Sequence, residues 1–288
     1  MTVMSSLDLR EDWRALLGRR PALAETLAVY DGILDRWADS SAPVVQVGWT
    51  AEQCRERWAR RVPLLAEMPV PFSPDEVEAL LGLALGLLAS VGAAEEAALE
   101  RFAEAWDRGG IGPAELLPAQ GRVGLLEPEI GLERNAVAFL ACVSLRPGLD
   151  GLFSDCRVQL VDGVWDLGVC PFCGGPPGFA DIIEDGRRRL ACHLCGGGWV
   201  YPRLRCPFCG NDRATDLARL QPEAQEEGYV ISTCQQCRGY VKELDRRVRW
   251  NAGPALVEDW GSPHFDLIAH RHGYWRPSAP LIHFARPA

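Results

Sequence analysis

The sequence predicts an α+β protein: an amino-terminal all-α helical bundle followed by two tandem four-cysteine metal modules of short antiparallel strands. Three observations carry this. Apolar residues recur at helical spacing along the first half. Eight of the eleven cysteines fall between Cys170 and Cys237, all of them in CxxC pairs. The charge divides at the same place: residues 1–167 hold 26 acidic and 15 basic side chains, whereas residues 168–288 hold 13 and 15. The expected organisation is a helical domain over 1–155, a first module over 156–204, a second over 205–250, and a tail over 251–288 packing on the body.

Composition narrows the class. With 288 residues, 48% hydrophobic and 24% charged, the chain can bury a core, which excludes a disordered polymer or a small disulfide-stapled peptide. A net charge of −9 argues against a nucleic-acid or acidic-membrane binder. Residues 1–13 lack a basic cluster followed by an apolar run, so no signal peptide is expected. The longest uncharged run, 79–94, falls short of the ~20 residues that span a bilayer and reads as a buried helix. A cytoplasmic location follows, where cysteines stay reduced and serve as ligands.

In the first half, Leu23, Leu27, Tyr30, Leu34 and Trp37 step by four and three along one helical face, with Pro21 at a first-turn position. Thr50 with Gln53, and Ser73 with Pro74 and Glu76, read as capping boxes opening two further helices. Gly82 and Gly86 are expected to let a neighbouring helix approach closely. Leu132, Ala136, Phe139, Leu140 and Val143 mark a further helix that should end before Pro147. This half carries no histidine, phosphate loop or nucleophile elbow. Its carboxylates read as solvated helix faces, with an acidic docking surface as the sharper alternative.

The second half opens with an expected hairpin, residues 157–161 and 164–167 around Asp162-Gly163. Four pairs follow: Cys170/Cys173, Cys192/Cys195, Cys206/Cys209 and Cys234/Cys237, separated by 18, 10 and 24 residues. A CxxC loop turns both sulfurs toward one point, so two loops make a tetrahedral four-thiolate site. Cys170-Pro171-Phe172-Cys173-Gly174 recurs as Cys206-Pro207-Phe208-Cys209-Gly210, an imperfect tandem repeat. The expected ligand sets are therefore Cys170, Cys173, Cys192, Cys195 and Cys206, Cys209, Cys234, Cys237, with interleaved pairing left open. Residues 179–183 and 188–191 should form a hairpin around Glu184-Asp185-Gly186, and residues 214–220 and 229–233 the strands of unit two, with a polar loop between them. A redox-dithiol reading of CPFC fails on context, because Gly174-Gly175-Pro176-Pro177 cannot continue the helix that such a site needs.

The CPxCG knuckle is shared by zinc ribbons and rubredoxin, and four thiolates suit zinc or mononuclear iron alike. Each filled site carries about −2, which turns the slight positive charge of this half negative. Cys54, Cys142 and Cys156 are isolated and read as inert buried thiols. His193 lies inside a knuckle and could replace a cysteine ligand, but the cysteine set is already complete. His264, His270, His272 and His283 lack the spacing of a helical two-histidine site, and Arg187-Arg188-Arg189 reads as a solvated turn beside Glu184 and Asp185. Trp199, Tyr201 and Tyr240 are expected to cover the sulfurs.

Residues from about 167 to 277 resemble the formate dehydrogenase accessory protein family, FdhE. The resemblance rests on the first CPFCG, on Cys192-His193-Leu194-Cys195 with Trp199, and on Arg205-Cys206-Pro207-Phe208-Cys209. It continues through Cys234-Gln235-Gln236-Cys237-Arg238-Gly239-Tyr240-Val241-Lys242, Glu258-Asp259, Asp266-Leu267, and Gly273-Tyr274 with Arg276. Gly196-Gly197-Gly198 and His270-Arg271-His272 depart from the family pattern. The resemblance implies a cytoplasmic, non-enzymatic maturation factor that binds the catalytic subunit of a molybdenum- or tungsten-dependent formate dehydrogenase. It also implies rubredoxin-like iron, which favours iron over zinc in two metal sites, with no organic cofactor and no catalytic residue. No nucleic-acid partner and no membrane insertion are expected. The alternatives are a nucleic-acid-binding tandem zinc ribbon, supported by the arginine triplet, and an electron-transfer protein, which leaves the helical half without a role.

Overall fold

Helix α1 (Ser6–Arg19) leads into a broken helical stretch, α2 (Ala24–Leu27) and α3 (Asp31–Asp39), interrupted by 3-10 turns at Pro21–Leu23 and Ala28–Tyr30. The predicted stripe faces inward: Leu27, Tyr30, Leu34 and Trp37 are buried, and Leu23 packs against the same core. This computed structural model describes residues 6–39, 49–69, 71–120, 126–221 and 226–277. Residues 1–5 of the amino terminus, residues 222–225 of the expected polar loop, and His283 lie outside the described residues.

Both capping boxes form. Thr50 Oγ1 accepts from the Gln53 amide at 3.2 Å, and Gln53 Oε1 accepts from the Thr50 amide at 2.9 Å, opening α4 (Ala51–Ala59). Glu76 Oε2 accepts from the Ser73 amide at 2.7 Å, opening α5 (Pro74–Ser90). Helices α6 (Glu96–Asp107), α7 (Leu126–Ile130), α8 (Arg134–Leu152) and α9 (Ser154–Arg157) follow, with α5 packed along α8. No helix among the described residues is long and apolar enough to cross a membrane.

Two expectations about α5 and α8 are corrected. Gly82 and Gly86 lie on the exposed side of α5, and a β-carbon added to either would meet open space. The close approach belongs instead to Gly148 of α8, where an added β-carbon would lie 2.5 Å from the Phe72 ring. Gly82→Ala and Gly86→Ala should therefore each stabilise the fold by about 0.5–1 kcal/mol, since only helix propensity and chain entropy change. Urea titration of each variant checks this.

Pro147 does not end α8, which runs on to Leu152. A mid-helix proline leaves the carbonyl four residues back without its amide donor. That carbonyl is Val143 O, and the buried Trp37 indole donates to it at 2.8 Å. A donor from α3 thus fills the gap that stops most helices. Trp37→Phe should leave the carbonyl buried and unpaired, at a cost of about 1–3 kcal/mol by thermal or chemical denaturation.

Among the described residues six strands follow: β1 (Phe179–Ile182), β2 (Arg188–Ala191), β3 (Gly198–Tyr201), β4 (Leu217–Leu220), β5 (Tyr229–Cys234) and β6 (Tyr240–Asp245). They form one sheet in the order β3-β2-β1-β6-β5-β4. Within each cysteine unit the strands are antiparallel, as the repeat predicts. Between the units β1 and β6 pair in parallel, with Ala180 opposite Glu243 and Ile182 opposite Asp245. The two ribbons share one mixed sheet.

The expected hairpin at 157–167 is absent. Arg157 closes α9, held by Asp150 at 2.7 Å and by the Cys195 carbonyl. The following residues make local turns, Gln159 N to Cys156 O and Val164 N to Val161 O. Gly163 takes the positive φ (+88°) expected of it, but the flanking valines are exposed and meet no partner strand. Turn chemistry was present without the buried alternate face that makes a hairpin.

The chain ends its described part in α10 (Ala255–Trp260) and α11 (Pro263–Arg271). Helix α10 reaches the amino-terminal helices: Trp260 stacks on Tyr30 with centroids 4.4 Å apart, and Gly261 leaves room for Leu16. Helix α11 covers the sheet through Phe265, packed with Phe179, Tyr229, Ile231 and Leu244 in a second core. The main core is continuous from Trp13 through α8 to Cys170, Phe172 and Trp199.

Candidate metal centres

Each CxxC forms the same knuckle. The first cysteine's amide donates to the carbonyl five residues on, and its carbonyl accepts from the amide four residues on. The pattern holds for Cys170 with Gly175 and Gly174, Cys192 with Gly197 and Gly196, Cys206 with Asn211 and Gly210, and Cys234 with Gly239 for the first bond. Three knuckles place glycine at the left-handed position, Gly174 (φ +73°), Gly196 (+72°) and Gly210 (+75°). The fourth uses Arg238 at φ +58°. Its guanidinium offsets the backbone cost by donating to His272 O at 2.6 Å and Gln235 Oε1 at 2.7 Å, and it lies over the Tyr274 ring.

The knuckles meet in the pairs the tandem repeat predicts, and interleaved pairing is excluded. Cys170, Cys173, Cys192 and Cys195 bring their sulfurs within 4.8 Å of one another, as do Cys206, Cys209, Cys234 and Cys237. The closest contacts are Cys170–Cys195 at 3.5 Å and Cys173–Cys192 at 3.4 Å in the first cluster. In the second they are Cys206–Cys237 at 3.6 Å and Cys209–Cys234 at 3.8 Å. Metal–sulfur bonds of ~2.3 Å set a tetrahedral edge of roughly 3.8 Å, so both donor sets fit one ion each. Backbone amides aim at the sulfurs as well, Gly175 N at Cys173 and Gly239 N at Cys237, both at 3.4 Å. Burial pushes the Cys170 and Cys173 thiols well above their ordinary range. Thiolates packed this closely repel one another, so a full four-thiolate set needs a cation among them.

Two phenylalanines press on the knuckle backbones. Phe172 presses on Gly197 and Phe208 on Gly239, so a β-carbon there would lie 2.4 and 2.7 Å from a ring carbon. The Gly196-Gly197-Gly198 triplet is thereby explained: left-handed backbone, the Phe172 contact, and an Arg189 contact at Gly198. Trp199 is buried and donates to Leu167 O at 3.0 Å, and Tyr201 donates to Cys206 O at 3.1 Å. Tyr240 is buried and donates to Asp266 Oδ1 at 2.6 Å.

The clusters differ in setting. All four sulfurs of the first are buried, and the helical region holds its knuckles. Trp58 Nε1 and the Leu64 amide both donate to Pro171 O at 3.0 Å, and the Leu65 amide to Phe172 O at 2.8 Å. Arg146 of α8 donates to His193 O and Arg157 to Cys195 O. In the second cluster Cys209 is exposed and Cys237 half-buried.

A buried ionic cluster lies between the two, and the sequence reading gave its residues no role. Lys242 Nζ, fully buried on β6, meets Asp259 Oδ1 at 2.7 Å and Asp266 Oδ2 at 2.9 Å. Arg276 meets the same carboxylates at 2.7 and 3.0 Å and donates to Gly178 O at 2.9 Å. His193, inside the second knuckle, lies 2.9 Å from Asp259 Oδ2. Burial works against the Asp259 charge, but Arg276 and Lys242 hold its carboxyl well below the usual range. Two cations and two carboxylates balance. The signal in the sequence was Lys242 itself, a charge inside a strand of buried residues and the only lysine of the chain.

Burial pushes the Cys142 and Cys156 thiols up to about 12 and raises Cys54, in keeping with inert thiols. His264 meets Glu226 at 3.2 Å, and His272 lends its carbonyl to Arg238. The arginine triplet is no uniform solvated turn: Arg187 pairs with Asp162 and Asp185, while Arg188 is buried against Glu243 at 3.2 Å.

Comparison with known proteins agrees with this geometry. No family model matches the chain. It is 32% identical over 151 residues to the "Protein FdhE homolog" of Aquifex aeolicus, covering 51% of this chain and 52% of that one. It is 33% identical over 122 residues to the homolog of Stutzerimonas stutzeri, covering 41% of this chain and 39% of the relative. The matched segment thus spans about half or less of these relatives. The crystal structure of the FdhE protein from Pseudomonas aeruginosa superposes with a TM-score of 0.61 at 22% identity, over 99% of both chains. The fold is shared from the helices through the sheet.

Proposed function

Because this chain is a member of the FdhE family, we propose that it acts as an accessory protein for a formate dehydrogenase, binding that enzyme's catalytic subunit during maturation. One observation carries the reading: two four-thiol sets on a single sheet, each a closed tetrahedral donor set once an ion is held. A closed set builds a rigid surface and leaves no coordination position for a substrate, which suits a binding protein without a reaction of its own.

Cys170, Cys173, Cys192 and Cys195 would hold one ion, and Cys206, Cys209, Cys234 and Cys237 the other. We assign iron to both, following the family resemblance. Iron would supply a one-electron couple that zinc lacks. The chain's own residues then set two environments. Trp58, Arg146 and Arg157 fix the first knuckles from the helical side, whereas the second cluster stands at the surface with Cys209 in water. The cytoplasm is the compartment this reading requires.

The test is anaerobic purification of the tagged chain from its own host, with metal analysis and mass spectrometry. Co-elution of a formate dehydrogenase catalytic subunit, with about two iron ions per chain, is the expected result. A host lacking the protein that retains full formate dehydrogenase activity would sink the accessory reading. Zinc in place of iron would overturn the metal assignment alone.

A further inference from the structure

Beside the second cluster a groove of about 460 Å³ opens over β4, β5 and β6. Its floor is apolar, with Val241 and Leu217, and Phe208 and Leu204 form one wall. Leu204 is 67% exposed where it lines the groove. The rim carries Arg203, Arg205 and Arg219. Arg203 donates to Gly186 O at 3.2 Å and interacts electrostatically with Asp245, and Arg219 reaches Glu243 only at 3.9 Å, a long ion pair. Arg188, also lining the groove, is already matched by Glu243. Among the described residues no carboxylate lines the groove. Even with about −2 on a filled cluster, three guanidiniums leave the groove net positive.

We propose that this groove docks a peptide segment of a partner protein that combines apolar and acidic side chains. The apolar floor would take the aliphatic groups and the arginine rim their carboxylates, the pairing arginine favours because its fork matches a carboxylate. Naming the partner as the formate dehydrogenase subunit rests on the preceding reading; the peptide chemistry does not. Cys206 and Cys234 line the groove together with Pro207 and Phe208. The groove therefore exists in this shape only while the second cluster holds its knuckles together.

The probes are fluorescein-labelled peptides of about twelve residues, alternating Glu and Leu or Lys and Leu, and a single-stranded RNA of similar length, followed by anisotropy. The full metal-bearing chain should bind the Glu-Leu peptide and neither of the others. Arg203→Glu combined with Arg219→Ala should weaken it about tenfold or more, the scale of losing charge pairs at an interface. Leu204→Asp, at an exposed position that folding does not need, should do the same. Equal binding of both peptides, preference for RNA, or unchanged affinity in both variants would overturn the proposal. The same variants are then titrated with the purified dehydrogenase subunit. A subunit that binds wild type and both variants alike overturns the groove as its site and leaves the accessory reading standing. A subunit that never binds, with the Glu-Leu response intact, overturns the accessory reading and leaves the groove.

Discussion

Cys170→Ser or Cys192→Ser should unfold the sheet-bearing half, while Cys209→Ser should leave a folded protein short of one metal ion. The difference follows from setting. The first cluster's sulfurs are buried in the core that also contains Trp58, Phe153 and Phe172, so opening it undoes packing on both sides. Structural four-ligand sites contribute apparent binding energies of ~10–16 kcal/mol, as large as a domain's whole stability. Losing one buried ligand strips the ion and leaves three thiols uncompensated. At the second cluster Cys209 already faces water, so serine there leaves few buried groups unsatisfied. Metal content and cooperative melting of the purified variants check the contrast. A chelator series on wild type should release the second ion first, with Cys209 the first thiol alkylated. Simultaneous release would show the two settings to be equivalent.

Lys242→Met should cost about 3–5 kcal/mol, the usual penalty for removing one member of a buried ionic set. The substitution keeps length and apolar bulk but leaves Asp259 and Asp266 facing a single cation, Arg276. Replacing the whole cluster with matched apolar residues should be far milder, because no lone charge is then left buried. Denaturant midpoints of the single and combined variants separate the two cases. A single-variant loss under 1 kcal/mol would mean that water enters the cluster.

The metal centres were the most legible part of this sequence because their information is local. A CxxC with glycine or a substitute at the left-handed position folds its own knuckle, and the repeat of CPFCG already paired the knuckles. The capping boxes were legible for the same reason, since donor and acceptor lie three residues apart. What failed depended on distant partners. Pro147 stands inside a helix because an indole more than a hundred residues earlier satisfies its orphaned carbonyl. Gly82 and Gly86 looked like a contact stripe, but only packing chooses which face of α5 turns inward. Asp162-Gly163 promised a hairpin and delivered a turn with nothing to pair against. The ionic cluster draws on β6, a knuckle, two helices and the segment after them, so no window of sequence contains it.

The parallel join between β1 and β6 sets an order of events on the ribosome. Cys195 completes the first thiol set early, whereas β6 emerges roughly sixty residues after β1. During that interval a nascent chain can already carry its first ion while one side of β1 stands bare, the kind of edge that recruits foreign strands. The seam closes when β6 arrives, and the charges around Lys242 are matched only once Arg276 has been made. Metal capture is thus separated in time from strand closure, and the last described residues of the chain complete a sheet begun almost a hundred residues before.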